Sequence, residues 1–267
     1  MDRAIGHFKP DIAVILGDRF ESLGAAYQAS YHRIPICHIH GGEQTAGAMD
    51  DAMRHAISKL SHIHCVANVQ FAETLSRMGE KIICVTGAPG LDNLVNEIST
   101  PRRPQKHFVV TYHPETLGTG SEGIKPLIEA LERFPDYKVY WTNANQDPGA
   151  EQPPDKWKHA FETVDLYIHH CRHAAAVIGN SSSGIIEMPT LGVPTVNIGD
   201  RQKGRPMAGS VITCLPTVDS ITEGIEWALG RETGFVNPYG QPGASERIAD
   251  IIANQDLTGI LRKDWPI

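Results

Sequence analysis

Two imidazoles and several carboxylates crowd one short stretch, His38-Ile39-His40-Gly41-Gly42-Glu43 followed by Asp50 and Asp51. Groups of these types at close spacing are what proton transfer requires. On a strand, alternation places His38 and His40 on one face. Gly41-Gly42 then permits a sharp turn, and Glu43 and Asp50 enter from the loop and the start of the next helix. The same residue types can ligate zinc or serve structure alone, although no HExxH or comparable zinc spacing is present. Within the helix, the pairs Asp50/Arg54 and Asp51/His55 sit four residues apart, the spacing of solvated ion pairs.

Four further constellations follow apolar runs. Gly17-Asp18-Arg19 ends DIAVILG and sets a carboxylate beside a guanidinium, suited to a polar or phosphorylated ligand. Its plainer reading is that Asp18 caps a helix. Thr111-Tyr112-His113-Pro114-Glu115 ends another run, with His113 directed to a strand mouth and the proline holding the backbone extended. Gly179-Asn180-Ser181-Ser182-Ser183-Gly184-Ile185-Ile186-Glu187 is the most specific. Hydroxyls and free N–H groups opening a helix suit a phosphate, and Glu187 is placed to accept from a ribose diol. Three serines exceed what an N-cap needs, and no Walker GKS/T is present. Asp200-Arg201-Gln202-Lys203-Gly204-Arg205 adds cations for a pyrophosphate, or forms a solvated loop.

These residues must be positioned by alternating elements. Apolar runs predict strands at 11–17, 34–40, 62–67, 81–87, 107–113, 137–143, 164–169, 175–180, 194–199 and 210–214. Helical spacing lies between most of them, for example Phe20/Leu23/Tyr27 and Met53/Ile57/Leu60. Continuous apolar strands separated by helices imply parallel sheets covered on both faces. The polar, proline-containing STPRRPQ (99–105) reads as a linker between two α/β domains. A last amphipathic segment at 245–253 is expected to return to the first domain. Ligands of open parallel sheets bind at the carboxyl ends of the strands, which places the functional residues at the cleft between the domains.

The chain has 267 residues and a formal charge of −7 with pI near 6.0. No cationic excess is available for a phosphate backbone, which argues against nucleic acid as partner. No run of 18 apolar residues suggests a membrane span, and MDRAIGHFKPD lacks the apolar core of a secretory leader. Five dispersed cysteines without CxxC predict free thiols in a reducing cytoplasm, with Cys37 and Cys84 as small buried hydrophobes.

Taken in order, GDRFE, HIHGGE, DDAMRHAISKLSHIH, GAPGLDNL, TYHPET and GNSSSGIIEMPTLGVPTVNIGDRQKGR resemble the UDP-N-acetylglucosamine 2-epimerases, from Pro10 to about Ile252. The hydrolysing branch, of sialic-acid and related nonulosonic-acid biosynthesis, fits best. The resemblance implies an α/β chain of two Rossmann-like domains in GT-B architecture. It implies a partial N-terminal domain over 1–100, a UDP-binding domain over 105–250 and a tail, 251–267, packing on the first. Family members carry further βα units before the GDR strand. At about 30 residues per unit, some 80–90 residues of the family pattern are not matched, so the N-terminal domain is expected to be incomplete, with about four strands.

The implied reaction converts UDP-N-acetylglucosamine and water to N-acetylmannosamine and UDP, through carbon-2 proton abstraction, elimination of UDP and addition of water. By resemblance, Asp18, His40, Glu43, Asp50 and His113 are catalytic. Arg19, His113, Ser181, Ser182, Glu187 and Arg201 bind substrate, and His38, His62 and His64 lie near the catalytic cluster. Several relatives carry glutamate where this chain has His40, so either Glu43 or His40 is the proton carrier. No metal, no cofactor and no membrane are implied, and a homo-oligomer (dimer or tetramer) is. The alternatives are a non-hydrolysing epimerase, a GT-B glycosyltransferase, or a fragment that binds UDP without catalysis.

Overall fold

The computed structural model describes residues 2–45, 50–113, 123–142, 152–231 and 234–263. The chain divides into two compact units. The first comprises Met1–Gln44, Met49–Pro89 and Tyr239–Ile267, and the second Thr45–Ala48 and Gly90–Pro238.

In the first unit, α1 (Asp2–Phe8) precedes β1 (Ala13–Leu16), α2 (Phe20–Tyr31), β2 (Ile36–Ile39), α3 (Asp50–Leu60), β3 (Ile63–Val66), α4 (Val69–Arg77) and β4 (Ile82–Val85). The four strands are parallel in the order β1-β2-β3-β4. Alternation along β2 explains the two cores. Ile36 packs with Ile15, Ala26, Ala29 and Ile57 on one face. Cys37 packs with Ile63, Cys65 and Ile248 on the other. β1 is the edge strand, and its Val14 and Leu16 are exposed. The helical spacing of Phe20 and Tyr27 marks α2, but both rings are exposed, and Ala26 and Ala29 supply the buried face. Cys37 is buried as expected, 3.7 Å Sγ to Sγ from Cys65, whereas Cys84 is only half-buried; all five thiols are free.

The second unit contains α5 (Val95–Ile98), β5 (His107–Thr111), α6 (Ile124–Glu132), β6 (Lys138–Trp141), α7 (Val164–His173), β7 (Ala176–Gly179), α8 (Ser183–Ile186), α9 (Met188–Leu191), β8 (Thr195–Ile198), β9 (Val211–Cys214) and α10 (Val218–Leu229). Its five strands are parallel in the order β6-β5-β7-β8-β9. Phe108, Val110, Ile178 and Val196 pack against Leu127 and Leu131 of α6 and Ile221 and Ile225 of α10. The order reverses between β5 and β7, the switch point at which doubly wound sheets receive ligands.

Two sequence expectations are corrected. VDLYIH (164–169), read as a strand from its alternating Val, Leu and Ile, is the start of α7. Thr163 caps it by accepting from the Leu166 N–H at 3.2 Å. The apolar alternation does not mark a core face, for Val164 and Leu166 are 63% and 44% exposed while Ile168 and Cys171 are buried. STPRRPQ is not the linker either. Arg102 donates to the carbonyls of Arg172 (3.1 Å) and Ala174 (2.6 Å), and Arg172 donates to Thr100 O at 2.9 Å. Its arginine thus satisfies the open carbonyls at the end of α7, and the strap is part of the second unit. Apart from the short segment Thr45–Ala48, the chain crosses between units at Pro89/Gly90 and at Pro238/Tyr239.

The returning segment carries α11 (Ala244–Asn254), whose Ile248 joins the first unit's core. Arg247 Nε donates to Thr86 O at 2.9 Å. Lys263 Nζ donates to the carbonyls of Lys59 (3.0 Å) and Ser61 (2.7 Å) and pairs with Glu80. Asn143, Pro114 and Glu115, which belong to runs singled out in the sequence, lie outside the described residues.

Candidate active site

In the first unit the carboxyl ends of β1 and β2 present Asp18 and the His40–Glu43 turn. Both are organised by one side chain from α3. Arg54 is 2% exposed. One guanidinium nitrogen donates to His40 O at 3.1 Å and lies 3.2 Å from Glu43 Oε2; the other pairs with Asp18 Oδ2. The guanidinium fork suits this role because it can serve two carboxylates and a carbonyl in fixed directions. Glu43 is 1% exposed, so its charge depends on such partners. Its other oxygen, Oε1, accepts from His40 Nδ1 at 2.5 Å.

The HIHGGE turn obtains its shape from its backbone. His40 lies beyond the end of β2 with φ +65°, so strand alternation does not set its side chain, contrary to the expectation of a shared face with His38. Gly42 has φ +76°, and a Cβ there would meet Phe71 O at 2.4 Å. His38 supports the turn from beneath. Fully buried, its Nε2–H donates to Gly17 O at 2.8 Å, and its Nδ1 accepts from Ser58 Oγ at 3.0 Å. Burial pushes the imidazole down to about 3, so it is neutral, with one nitrogen donating and the other accepting. Asp50 opens α3 within the same unit, and Asp51 lies 3.7 Å from His55 as its spacing predicts. Arg19 occupies the cap position of α2, exposed, with Nε 3.4 Å from Glu21.

His62 and His64 do not join this cluster. His62 Nδ1 accepts from Ile36 N at 3.2 Å, at the amino end of β2. His64 Nε2 donates to Glu80 Oε2 at 3.0 Å, and Lys59 and Lys263 surround the same carboxylate. Burial alone would raise the Glu80 carboxyl. The hydrogen bonds from His64, Lys263 and Lys59 outweigh it and hold the group at about 2. This is a structural ion-pair network.

In the second unit, His113 and the serine run end the adjacent strands β5 and β7, at the switch point. Gly179 makes their approach possible. Its φ is +139°, and a Cβ would lie 1.9 Å from Thr111 O. Asn180, fully buried, then clamps the neighbouring strand end: its Oδ1 accepts from His113 N at 2.8 Å and its Nδ2 donates to His113 O at 2.8 Å. The carbonyl of Asn180 accepts from Arg201 (3.1 Å) and Gln202 (2.8 Å), which ties the DRQKGR loop to the same point. Ser181, Ser182 and Ser183 are half-buried, with Ser183 Oγ accepting from Tyr167 OH at 3.1 Å. Glu187 joins the short helices α8 and α9, and its carboxylate lies against Gly90. Arg205 donates to Thr45 Oγ1 at 3.2 Å. Beside Tyr167, at the end of β6, a recess of about 400 Å³ is lined by Thr142, His159, Phe161 and Thr163.

Sequence reasoning missed Arg54 as an organiser and Asn180 altogether. Arg54 is legible in principle, because it shares a buried helix face with Ile57 and Ser58, where a charge needs partners. Asn180 gave no signal beyond its place after an invertible glycine.

Comparison with known proteins places the chain in a family. The family model for UDP-N-acetylglucosamine 2-epimerase matches residues 1–253. Polysialic acid biosynthesis protein P7 of Escherichia coli is 33% identical over 96% of this chain and 72% of its own length. The GDP/UDP-N,N'-diacetylbacillosamine 2-epimerase (hydrolyzing) of Campylobacter jejuni is 34% identical over 78% of this chain and 61% of its own length. The structure of the Methanocaldococcus jannaschii UDP-GlcNAc 2-epimerase in complex with UDP-GlcNAc and UDP superposes with a TM-score of 0.78. It covers 95% of this chain and 78% of that one at 18% identity, a likeness of fold. Two parallel α/β units of Rossmann type, GT-B-like neighbours and a match over nearly the whole sequence show that the chain belongs to the UDP-N-acetylglucosamine 2-epimerase family.

Proposed function

We propose that the chain is a hydrolysing UDP-N-acetylglucosamine 2-epimerase, acting on UDP-N-acetylglucosamine and water to give N-acetylmannosamine and UDP. The observation that carries the reading is the acid–imidazole cluster gathered by Arg54 in a chain of this family. The hydrolysing relative from Campylobacter supports the hydrolytic branch.

UDP is assigned to the second unit. Backbone N–H groups and hydroxyls of Ser181 and Ser182, with Arg201, receive the pyrophosphate, and Glu187 receives the ribose diol. His113 donates to the phosphate side of the ligand. The aromatic recess beside Tyr167 suits a pyrimidine ring.

Proton transfer is assigned to the first unit. Glu43 holds His40 Nδ1–H, which leaves the lone pair of His40 Nε2 to take the carbon-2 proton. As that C–H bond breaks, the carbon-1 to oxygen bond breaks with it and its electron pair leaves on UDP. Water then adds across the resulting double bond, hydroxyl to carbon 1 and a proton to carbon 2 from the opposite face, with Asp18 and Asp50 as the acid and base of that step. Arg54 keeps Asp18 and Glu43 oriented.

Turnover of UDP-N-acetylglucosamine by His40→Asn and Glu43→Gln chains tests the assignment. Both are expected to lose at least about a hundredfold in kcat with UDP affinity unchanged. An active His40→Asn chain contradicts the role of His40. The Campylobacter relative's name favours a second substrate reading, UDP-N,N'-diacetylbacillosamine. The ratio of kcat/KM for the two nucleotide sugars decides between them.

A further inference from the structure

On α7, among residues given no part in binding nucleotide or sugar, His169 and His173 stand four residues apart and face Glu97 of α5. One ligand-capable atom of each lies within 4.8 Å of the other two. We propose that Glu97, His169 and His173 form a binding site for a divalent transition-metal ion of the zinc class, which staples α5 to α7.

Three features favour a built site over a chance grouping. The first is spacing. Histidines at i and i+4 stand one above the other on a helix face, and these two rings are 4.7 Å apart at 68°. Two imidazoles bound to one ion at 2.0–2.1 Å place their centres about 5 Å apart. His169 Nδ1 and Glu97 Oε1 are 3.2 Å apart, close to the edge of about 3.4 Å expected for a tetrahedron of such bonds. The second is tautomer. His173 Nδ1–H donates to Arg103 O at 3.1 Å, which leaves Nε2 as the lone-pair nitrogen. A backbone carbonyl on the far nitrogen is how ligating histidines are commonly oriented. The third is support. The strap carrying Glu97 is fixed to the end of α7 by Arg102, by Arg172 to Thr100 O, and by Gln105 N to His173 O at 2.7 Å. The ligands are therefore held without the ion.

The donor set, two imidazoles and a carboxylate, matches the borderline ions zinc, cobalt(II) and nickel(II) better than magnesium or calcium. Water completes the coordination, since His169 is half exposed. On binding, His169 Nδ1 gives its lone pair to the ion and the imidazole carries its one proton on Nε2, so that both histidine ligands are neutral. The nearby Arg172 opposes a cation, but its guanidinium is engaged by Leu191 O and Thr100 O.

The test uses the full chain without a polyhistidine tag, stripped with chelator and titrated with Zn2+ by calorimetry and with Co2+ by visible absorption. One equivalent is expected to bind saturably, with ligand-field bands of low coordination number, and Zn2+ is expected to raise the melting temperature. His169→Ala and His173→Ala are each expected to weaken binding about tenfold or more, and the double variant to abolish the thermal shift. Glu97→Gln, which leaves α7 untouched, is expected to weaken binding several-fold and guards against loss of fold in the histidine variants. Equal stoichiometry and affinity in the wild type, the double histidine variant and Glu97→Gln would overturn the proposal, as would absence of saturable Co2+ binding to the wild type. In either case His169 and Glu97 are an ordinary surface ion pair.

Discussion

Asp18 and Glu43 in the first unit are held by a buried side chain, Arg54, whereas His113 and the serine run in the second are held by backbone and by one amide, Asn180. The first arrangement concentrates charge in a buried place and depends on electrostatic balance. The second depends on shape, because Gly179 lets two strand ends come into contact that any side chain would force apart. Groups that move protons must be charged and oriented. Groups that receive a pyrophosphate need many fixed N–H donors, which backbone supplies at little cost in side-chain entropy.

The contrast can be broken most severely at Arg54. Arg54→Met leaves Glu43 buried without its guanidinium partner. It is expected to cost about 3–5 kcal/mol of stability, measured by urea denaturation, and to abolish turnover. Gly179→Ala is the corresponding insult to the second unit. A Cβ 1.9 Å from Thr111 O must displace a strand, so a loss of about 3 kcal/mol is expected, with UDP binding lost in calorimetry. Asn180→Ala should be milder. Two buried backbone groups of His113 lose their partner, for about 2 kcal/mol and a UDP affinity reduced roughly tenfold.

A pH series sharpens the comparison further. His38 is held down at about 3 against an ordinary 6.5, so the unfolded chain binds a proton there that the folded chain does not. Stability from this group is complete above pH 6.5 and falls as pH drops toward 3, by up to about tenfold in the unfolding constant per pH unit. Glu80, held at about 2, adds a second loss that starts near pH 4.5 and ends near pH 2. Replacing His38 with Asn should make the upper limb shallower, with burial of His62, His64, His107 and His170 keeping the rest of it, and leave the lower limb; an unchanged upper limb would assign it wholly to those other histidines. The smallest effect is expected at Arg19. It is exposed, so Arg19→Ala should change stability by less than about 0.5 kcal/mol, with any effect confined to KM.

The same contrast explains what the sequence disclosed. The strands are short apolar runs even at the sheet edge, where β1 leaves Val14 and Leu16 exposed, so β1 to β9 are legible, and the glycines and acids that follow them mark the strand mouths. The start of α7 is not, because Val164-Asp-Leu-Tyr-Ile alternates like a strand while its buried contacts begin at Ile168. The strap at 99–105 looked like solvent-exposed linker because its arginines are polar in composition; their function, closing the carbonyls of α7, is set by tertiary contact. The acids and imidazoles at the strand mouths announce themselves by type, whereas Arg54, inside a helix, reads as an ordinary surface cation. The amide that positions His113 does not announce itself either, since an asparagine after a glycine reads as a turn.

The central claim is that this chain eliminates UDP from a nucleotide sugar after removing the carbon-2 proton. Proton NMR of the reaction with UDP-N-acetylglucosamine in deuterated water tests it directly. The account predicts UDP and N-acetylmannosamine carrying solvent deuterium at carbon 2. Release of UDP with N-acetylglucosamine that retains its carbon-2 proton would contradict it.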